Sequence, residues 1–311
     1  MLLMTLGYWF LYQEATDEFQ AAVRYRQEFA LREARLILRN RLAVAANDIR
    51  FMAANPVLKR YLASGADDDR RFLEALFSDL MAARRNQYDQ LRYLDETGME
   101  VVRINNGAQG AEIVPRRELQ NKRQRYYFAR SVGLPLGDVY LSPFDLNIEH
   151  GQVELPHKPT LRLGARAADA EGQPRGALVL NYLGSGLIDP MHAIGGSVGM
   201  QFWLANKDGY WLIGPDADEE WRFMFPGRPG GTVADRYPEL WRQMRDLQGE
   251  AHLDFDEHGD LLAVAVLSPE ADMVSEAGAN YAESASHEQG AETRRRRRAA
   301  ESDGDRKSTR L

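Results

Sequence analysis

From Gln13 to Leu62 the chain has no glycine, and no proline before Pro56, and its apolar residues recur at spacings of three and four. Leu31, Ala34, Leu38, Leu42, Ala45, Ile49 and Met52 fall on one face of the helix that this spacing predicts. Arginines at 32, 35, 39 and 41 populate much of the rest. A helix of roughly fifty residues exceeds what one globular module covers, so it is expected both to pack on a sheet and to pair with a copy of itself. A second helix is expected from about Asp67 to Arg85. Asp67, Asp68 and Asp69 complement its N-terminal dipole, and Phe72, Leu76, Leu80 and Met81 turn inward.

The texture then changes to strand and turn. LRYLDETGMEVVRIN reads as two strands around a Glu96-Thr97-Gly98 turn, with alternation sending Arg103 and Asn105 to one face. PRRELQNKRQRYYFARSVG reads as a helix with Pro115 in its first turn and Gly133 at its end. DVYLSPFDLN follows as a strand, and PTLRLGARAADAEGQPRGALVLNYL as a hairpin turning at Glu171-Gly172. The same grammar begins again. A short helix around Leu187 to Ile194 leads to a hairpin, SVGMQFWLANKDGYWLIG, turning at Lys207-Asp208-Gly209. DRYPELWRQMRDL is a helix, and AHLDFDEHGDLLAVAVLSP a hairpin turning at Glu257-His258-Gly259. Two successive units with one order of elements make a structural repeat. The fold class is therefore α+β, with one antiparallel sheet and flanking helices per unit.

Composition narrows the function. The chain of 311 residues has 39 Lys+Arg against 46 Asp+Glu and no cysteine, which excludes disulfides, thiol nucleophiles and thiolate metal sites. The basic residues concentrate at the end, in RRRRR and then Arg306, Lys307 and Arg310, and the acidic remainder argues against nucleic-acid partners. Residues 273–311 are expected to be a disordered basic tail, because so few apolar side chains cannot offset chain entropy. The uncharged start, MLLMTLGYWFLY, is too short to span a bilayer. With Tyr8, Trp9 and Tyr12 placed like an interfacial belt, residues 1–12 are expected to be part of a membrane anchor, the alternative being a buried or frayed terminus.

Several motifs resemble catalytic or metal sites without their context. GGSVG at 195–199 matches a nucleophile elbow around Ser197, with His192 nearby, but that elbow needs a strand before the serine and a helix after it, and here the order is reversed. DFDEHGD at 254–260 begins like a calcium loop but has Ala265 where a bidentate Glu is needed, so a hairpin turn explains it better. No cofactor and no metal is expected. More informative is the density of polar and aromatic residues between Arg103 and Arg162. Arg125, Tyr126 and Tyr127 lie near a helix end, Tyr140, Ser142, Asp145 and Asn147 on or just after a strand, and Arg162 on the next strand. Cation, anion and aromatic walls are what a small carboxylate, amine or zwitterion needs. The same residues also permit a structural salt-bridge cluster of Arg103, Asp145 and Arg162 with the tyrosines as packing.

QLRYLDETGMEVVRIN, RYYFARS, YLSPFDLNIEHG and NKDGYWL closely resemble the extracytoplasmic double Cache (tandem PAS-like) sensor domains of bacterial sensor histidine kinases and diguanylate cyclases, over about Asn40 to Pro269. The resemblance implies a long N-terminal helix (13–49), a membrane-distal module (50–182) and a membrane-proximal one (183–272). It places a small-molecule ligand in the distal module against residues that match Arg125, Tyr126, Tyr127, Tyr140 and Asp145. Arg103, Asn147 and Arg162 join them from the reading of the residues alone. Amino-acid-binding members carry a tryptophan-arginine signature where this chain has RYYFARS. The chain shows no kinase H-box, ATP site or GGDEF motif, so no catalytic activity is expected of it. The reading is a periplasmic, inner-membrane-anchored and homodimeric sensing module. A ligand-free structural or dimerisation module is the alternative.

Overall fold

A computed structural model describes residues 2–149, 151–225, 227, 228, 230–246, 252–255 and 261–264. The tail from 273, most of the 254–260 turn, His150 and His287 lie outside the described residues.

Three helices lead the chain: α1 (Leu2–Ala54), α2 (Pro56–Ser64) and α3 (Asp67–Ala83). The expected run to Leu62 is broken at Asn55, whose side chain accepts the Val57 N–H at 2.9 Å and caps α2 with Pro56 in its first turn. Then come β1 (Tyr88–Leu94), β2 (Glu100–Gly107), β3 (Gly110–Ile113), α4 (Tyr126–Val132), β4 (Val139–Leu141), β5 (Asp145–Leu146), β6 (Ile148–Glu149) and β7 (Gln152–Val153). The long hairpin is β8 (Pro159–Ala168) and β9 (Pro174–Leu183). The chain continues with α5 (Ser185–Val198), β10 (Leu204–Ala205), β11 (Trp211–Ile213), α6 (Val233–Arg236), α7 (Pro238–Asp246), β12 (His252–Phe255) and β13 (Leu261–Val264).

The main sheet runs β3-β2-β1-β9-β8-β4, with β5 also on β8, and every pairing is antiparallel. Alternation divides it into two unlike faces. Leu91, Ile104, Leu163 and Leu180 form one face, fully buried, on the side that α1, α2 and α3 cover. On α1, Ala34, Leu42, Ala45, Ile49 and Met52 are buried as the spacing requires, with Leu38 at the margin. Tyr88 donates to Asp48 of α1 at 2.5 Å, and Arg84 reaches the same carboxylate at 2.9 Å, so a charged clasp fixes α1 to the start of β1.

Several expectations fail locally. Phe72 does not face the core: α3 buries Leu73, Phe77 and Met81, while Phe72 is exposed beneath the Arg60 guanidinium, 4.7 Å from its ring centre. The helix expected from Pro115 to Gly133 is formed only at its two ends, as a 3-10 turn at Arg116–Glu118 and as α4. Between them the chain lies along the β1–β2 turn, where Gln120 O accepts Glu100 N–H, Lys122 N–H donates to Gly98 O and Asn121 bridges Met99. These tertiary bonds displace the helical ladder. The DVYLSPFDLN strand is likewise split into β4 and β5. Beyond the main sheet, α5 continues through Ser197, the β10–β11 hairpin is short, and the expected helix divides at Tyr237 into α6 and α7.

Candidate functional site

The second face of the main sheet carries polar side chains where a buried sheet would be apolar. Asn105, Gln90, Asn181 and Arg162 stand directly opposite one another across β2, β1, β9 and β8. Beside them runs a second row, Arg103, Arg92, Val179, Gly164 and Tyr140. Gln90, Arg92, Arg103, Arg162 and Asn181 are all buried. Helix α4 packs over the second row, where Tyr127 and Phe128 join Leu94, Ala177 and Val179. It comes this close because Gly164 has no side chain: a Cβ there would stand 1.8 Å from the Ser131 hydroxyl.

Between the polar rows, α4 and the β5–β7 segment lies a cavity of about 190 Å³. Arg92, Arg162, Lys122 and Arg125 line it, with Tyr127 and Asn147, and Gln120, Asn121, Ile148, Glu149 and Gly151 complete the wall. Tyr127 is the centre of this charge: the guanidiniums of Arg92, Arg125 and Arg162 lie 6.0, 5.7 and 5.5 Å from its ring centre. Its hydroxyl accepts from Arg92 at 3.1 Å. Burial would raise the phenol, but Arg92, Lys122, Arg162 and Arg125 together hold it below its ordinary value.

Carboxylates pair with the buried arginines. Arg162 pairs with Asp145 at 2.5 Å and donates to Asn147 at 3.1 Å, and Tyr126 donates to the other Asp145 oxygen at 2.9 Å. Burial first, then the Asp145 charge, pushes the Tyr126 phenol up to about 12. Glu100, fully buried, lies 3.7 Å from Arg92 and 3.8 Å from Arg103, which also reaches Glu149 at 3.8 Å. Burial opposes the Glu149 charge, but Arg103, hydrogen bonds from Gln90 and Asn147, and Arg92 hold its carboxyl below the usual range. Lys122 donates to the neutral Gln120 amide at 2.7 Å, and burial, then Arg92, lowers its ammonium.

Of the residues singled out from sequence, Arg125, Tyr127, Asn147 and Arg162 line the cavity. Tyr126 and Asp145 brace Arg162 from behind, Arg103 braces Glu149, and Tyr140 packs on the Leu94–Tyr127 cluster. Asp145 and Arg162 do form an ion pair, but Arg103 pairs elsewhere, with Glu100 and Glu149. Sequence reasoning missed Arg92, Lys122 and Glu149. Ser197 lies near the end of α5, where its hydroxyl donates to Ile194 O at 2.7 Å, and β10 follows it. Among the described residues no group of His, Asp and Glu is arranged to hold a metal ion.

The family model for the sensor domain of bacterial histidine kinases matches residues 24–259, and the chain belongs to that family. Its fold is Cache-type. The chain resembles the extracellular domain of the histidine kinase vpHK1S-Z8, at 20% identity over 80% of this chain and 88% of that one, with a TM-score of 0.66. It also resembles a domain of a sensory box/GGDEF family protein from Vibrio parahaemolyticus, at 18% identity over 79% and 95%, with a TM-score of 0.59. A third likeness is to the ligand-binding domain of the amino acid chemoreceptor PctC from Pseudomonas aeruginosa PAO1, solved with GABA, at 14% identity over 78% and 91%, with a TM-score of 0.50. No curated protein matches the sequence. The chain is therefore a sensor domain, and the match contains no catalytic domain. Among the described residues no helix is long and apolar enough to cross a membrane.

Proposed function

We propose that this chain is the periplasmic small-molecule-sensing part of a membrane signal-transduction receptor. Residues 50–182 form the membrane-distal module that holds the ligand and residues 183–272 the proximal one, while residues 1–12 contribute to a membrane anchor. The observation that carries the reading is the cavity itself: buried Arg92 and Arg162 face an open space beside Tyr127 instead of filling it. Charged groups buried at the edge of a cavity are costly unless something completes their partners. Ligand binding would favour one of two arrangements of α1, paired with α1 of a second copy, and must do so unequally to transmit anything.

A thermal-shift screen of the chain against amino acids, amines, short carboxylates and nucleobases tests this. A ligand at 100 times its dissociation constant stabilises by about 2.7 kcal/mol, and the shift should vanish in Arg162→Ala. A folded sample that responds to none of them would favour a ligand-free dimerisation module.

A further inference from the structure

We infer that the cavity takes a small dianion, a short dicarboxylate being the form that suits its forked donors, and not an amine or a zwitterion. The inference rests on the sensing reading above and adds the charge of the ligand. Four cations line the cavity, Arg92, Lys122, Arg125 and Arg162, and a single carboxylate, Glu149. Their ion-pair partners add Arg103, Glu100 and Asp145. The site thus holds five cations against three carboxylates, in a chain whose net charge is -7. The next carboxylate outward, Glu154, accepts from Asn147 and shares Lys158, at 2.8 Å, with Asp89, at 3.3 Å.

The excess is local and identifiable. Among the described residues neither Lys122 nor Arg125 forms a close ion pair: the Lys122 ammonium donates to the neutral Gln120 amide, with Glu100 and Glu149 acting on it only at longer range, and the Arg125 guanidinium lies over the face of Tyr127. Arg92 is 3% exposed, and its Nε lacks a hydrogen-bond partner, as does the Glu100 oxygen 3.7 Å away. An arriving ammonium would meet this excess of like charge, whereas two acid groups cancel it. Guanidinium groups present paired donors that match a carboxylate edge. A volume of 190 Å³, below the usual range of about 300–1,000 Å³ for drug-sized ligands, keeps the ligand small. The lowered Tyr127 phenol points the same way, since the charges of Arg92, Lys122, Arg162 and Arg125 outweigh its burial.

The test is titration calorimetry of the chain with malonate, succinate and glutarate, beside GABA, butyrate, putrescine and inorganic phosphate. Binding of a dicarboxylate, weakened about 10- to 100-fold in Arg125→Gln and in Lys122→Gln, is the expected result. Melting of the ligand-free variants separates charge from folding: removing one excess cation should leave the melting temperature unchanged or raised. Phosphate binding alone would keep the dianion and change its source. GABA, butyrate or putrescine binding in preference to the dianions, with the same loss in the variants, would overturn the charge inference and leave the sensing reading standing. Dianion binding indifferent to both substitutions would place the ligand elsewhere and overturn the inference. No response to any dianion, with some other compound of the wider screen binding, would overturn it as well, and an empty wider screen would take the sensing reading with it.

Discussion

Asp145→Ala leaves the Arg162 guanidinium, 2% exposed, without its carboxylate. Removing one partner of a buried pair costs about 3–5 kcal/mol, more than a well-packed apolar replacement of both. Urea unfolding should therefore show Asp145→Ala to be strongly destabilised, and Asp145→Ala with Arg162→Met to recover much of the loss. Glu149 gives a prediction in pH. Its folded carboxyl is held below the unfolded value, so its contribution is complete above the unfolded carboxylate range, about 4.3, and is lost as pH falls through the folded value. The acid limb of the stability profile should be shallower in Glu149→Gln than in the parent chain. Residues at this scale were unevenly legible. Arg162 and Asp145 stood out because charges interrupt a strand and a loop that are otherwise apolar and aromatic. Arg92 did not, because a bulge between Tyr93 and Leu94 shifts the register of the β1–β2 hairpin. Counting evenly back from the turn places Val102 opposite Arg92, whereas the folded pair is Arg92 with Arg103.

At the scale of elements, the position of α4 depends on one glycine. A methyl group at Gly164 would collide with the Ser131 side chain, so Gly164→Ala should lift α4, and Tyr127 with it, from the sheet. Overpacking of this kind costs about 1–3 kcal/mol, and Ser131→Gly in the same chain should restore much of it, as read by denaturant midpoints. On the other face, Ile49 of α1 is fully buried, and Ile49→Ala should cost about 2–5 kcal/mol in the same measurement. The spacing rule found α1 because seven apolar positions share one phase over many turns. It failed between Leu119 and Arg125, where RELQNKRQR has good helix formers but the backbone bonds of that stretch go to the neighbouring hairpin. Lys122 was overlooked for the same reason: on a helix it would have been one more solvated lysine.

For the whole molecule, the hairpin turns and the one apolar helix face were enough to give the α+β class, since local sequence sets both. The long-range order of the strands was not, because it depends on which edges the extended segments find. The proposed pairing of α1 with a second copy would use its exposed face. Tyr8, Phe29 and Leu36 are exposed and lie in one seven-residue register with Ala15 and Ala22. Sedimentation of the chain should return a dimer mass, and Phe29→Glu with Leu36→Glu should return a monomer that still binds at its cavity. Full burial along α1 begins only at Ala30, with Thr16, Gln20, Val23, Gln27 and Glu28 half-buried before it. The stretch from Leu2 to Phe29 therefore measures about 42 Å at 1.5 Å per residue. Such a rod is a lever whose short arm rests on the sheet. Each degree of tilt about Ala30 sweeps its far end through about 0.7 Å, and about seven degrees carries it the length of one helical pitch, some 5.4 Å. Gain of this kind requires only stiffness.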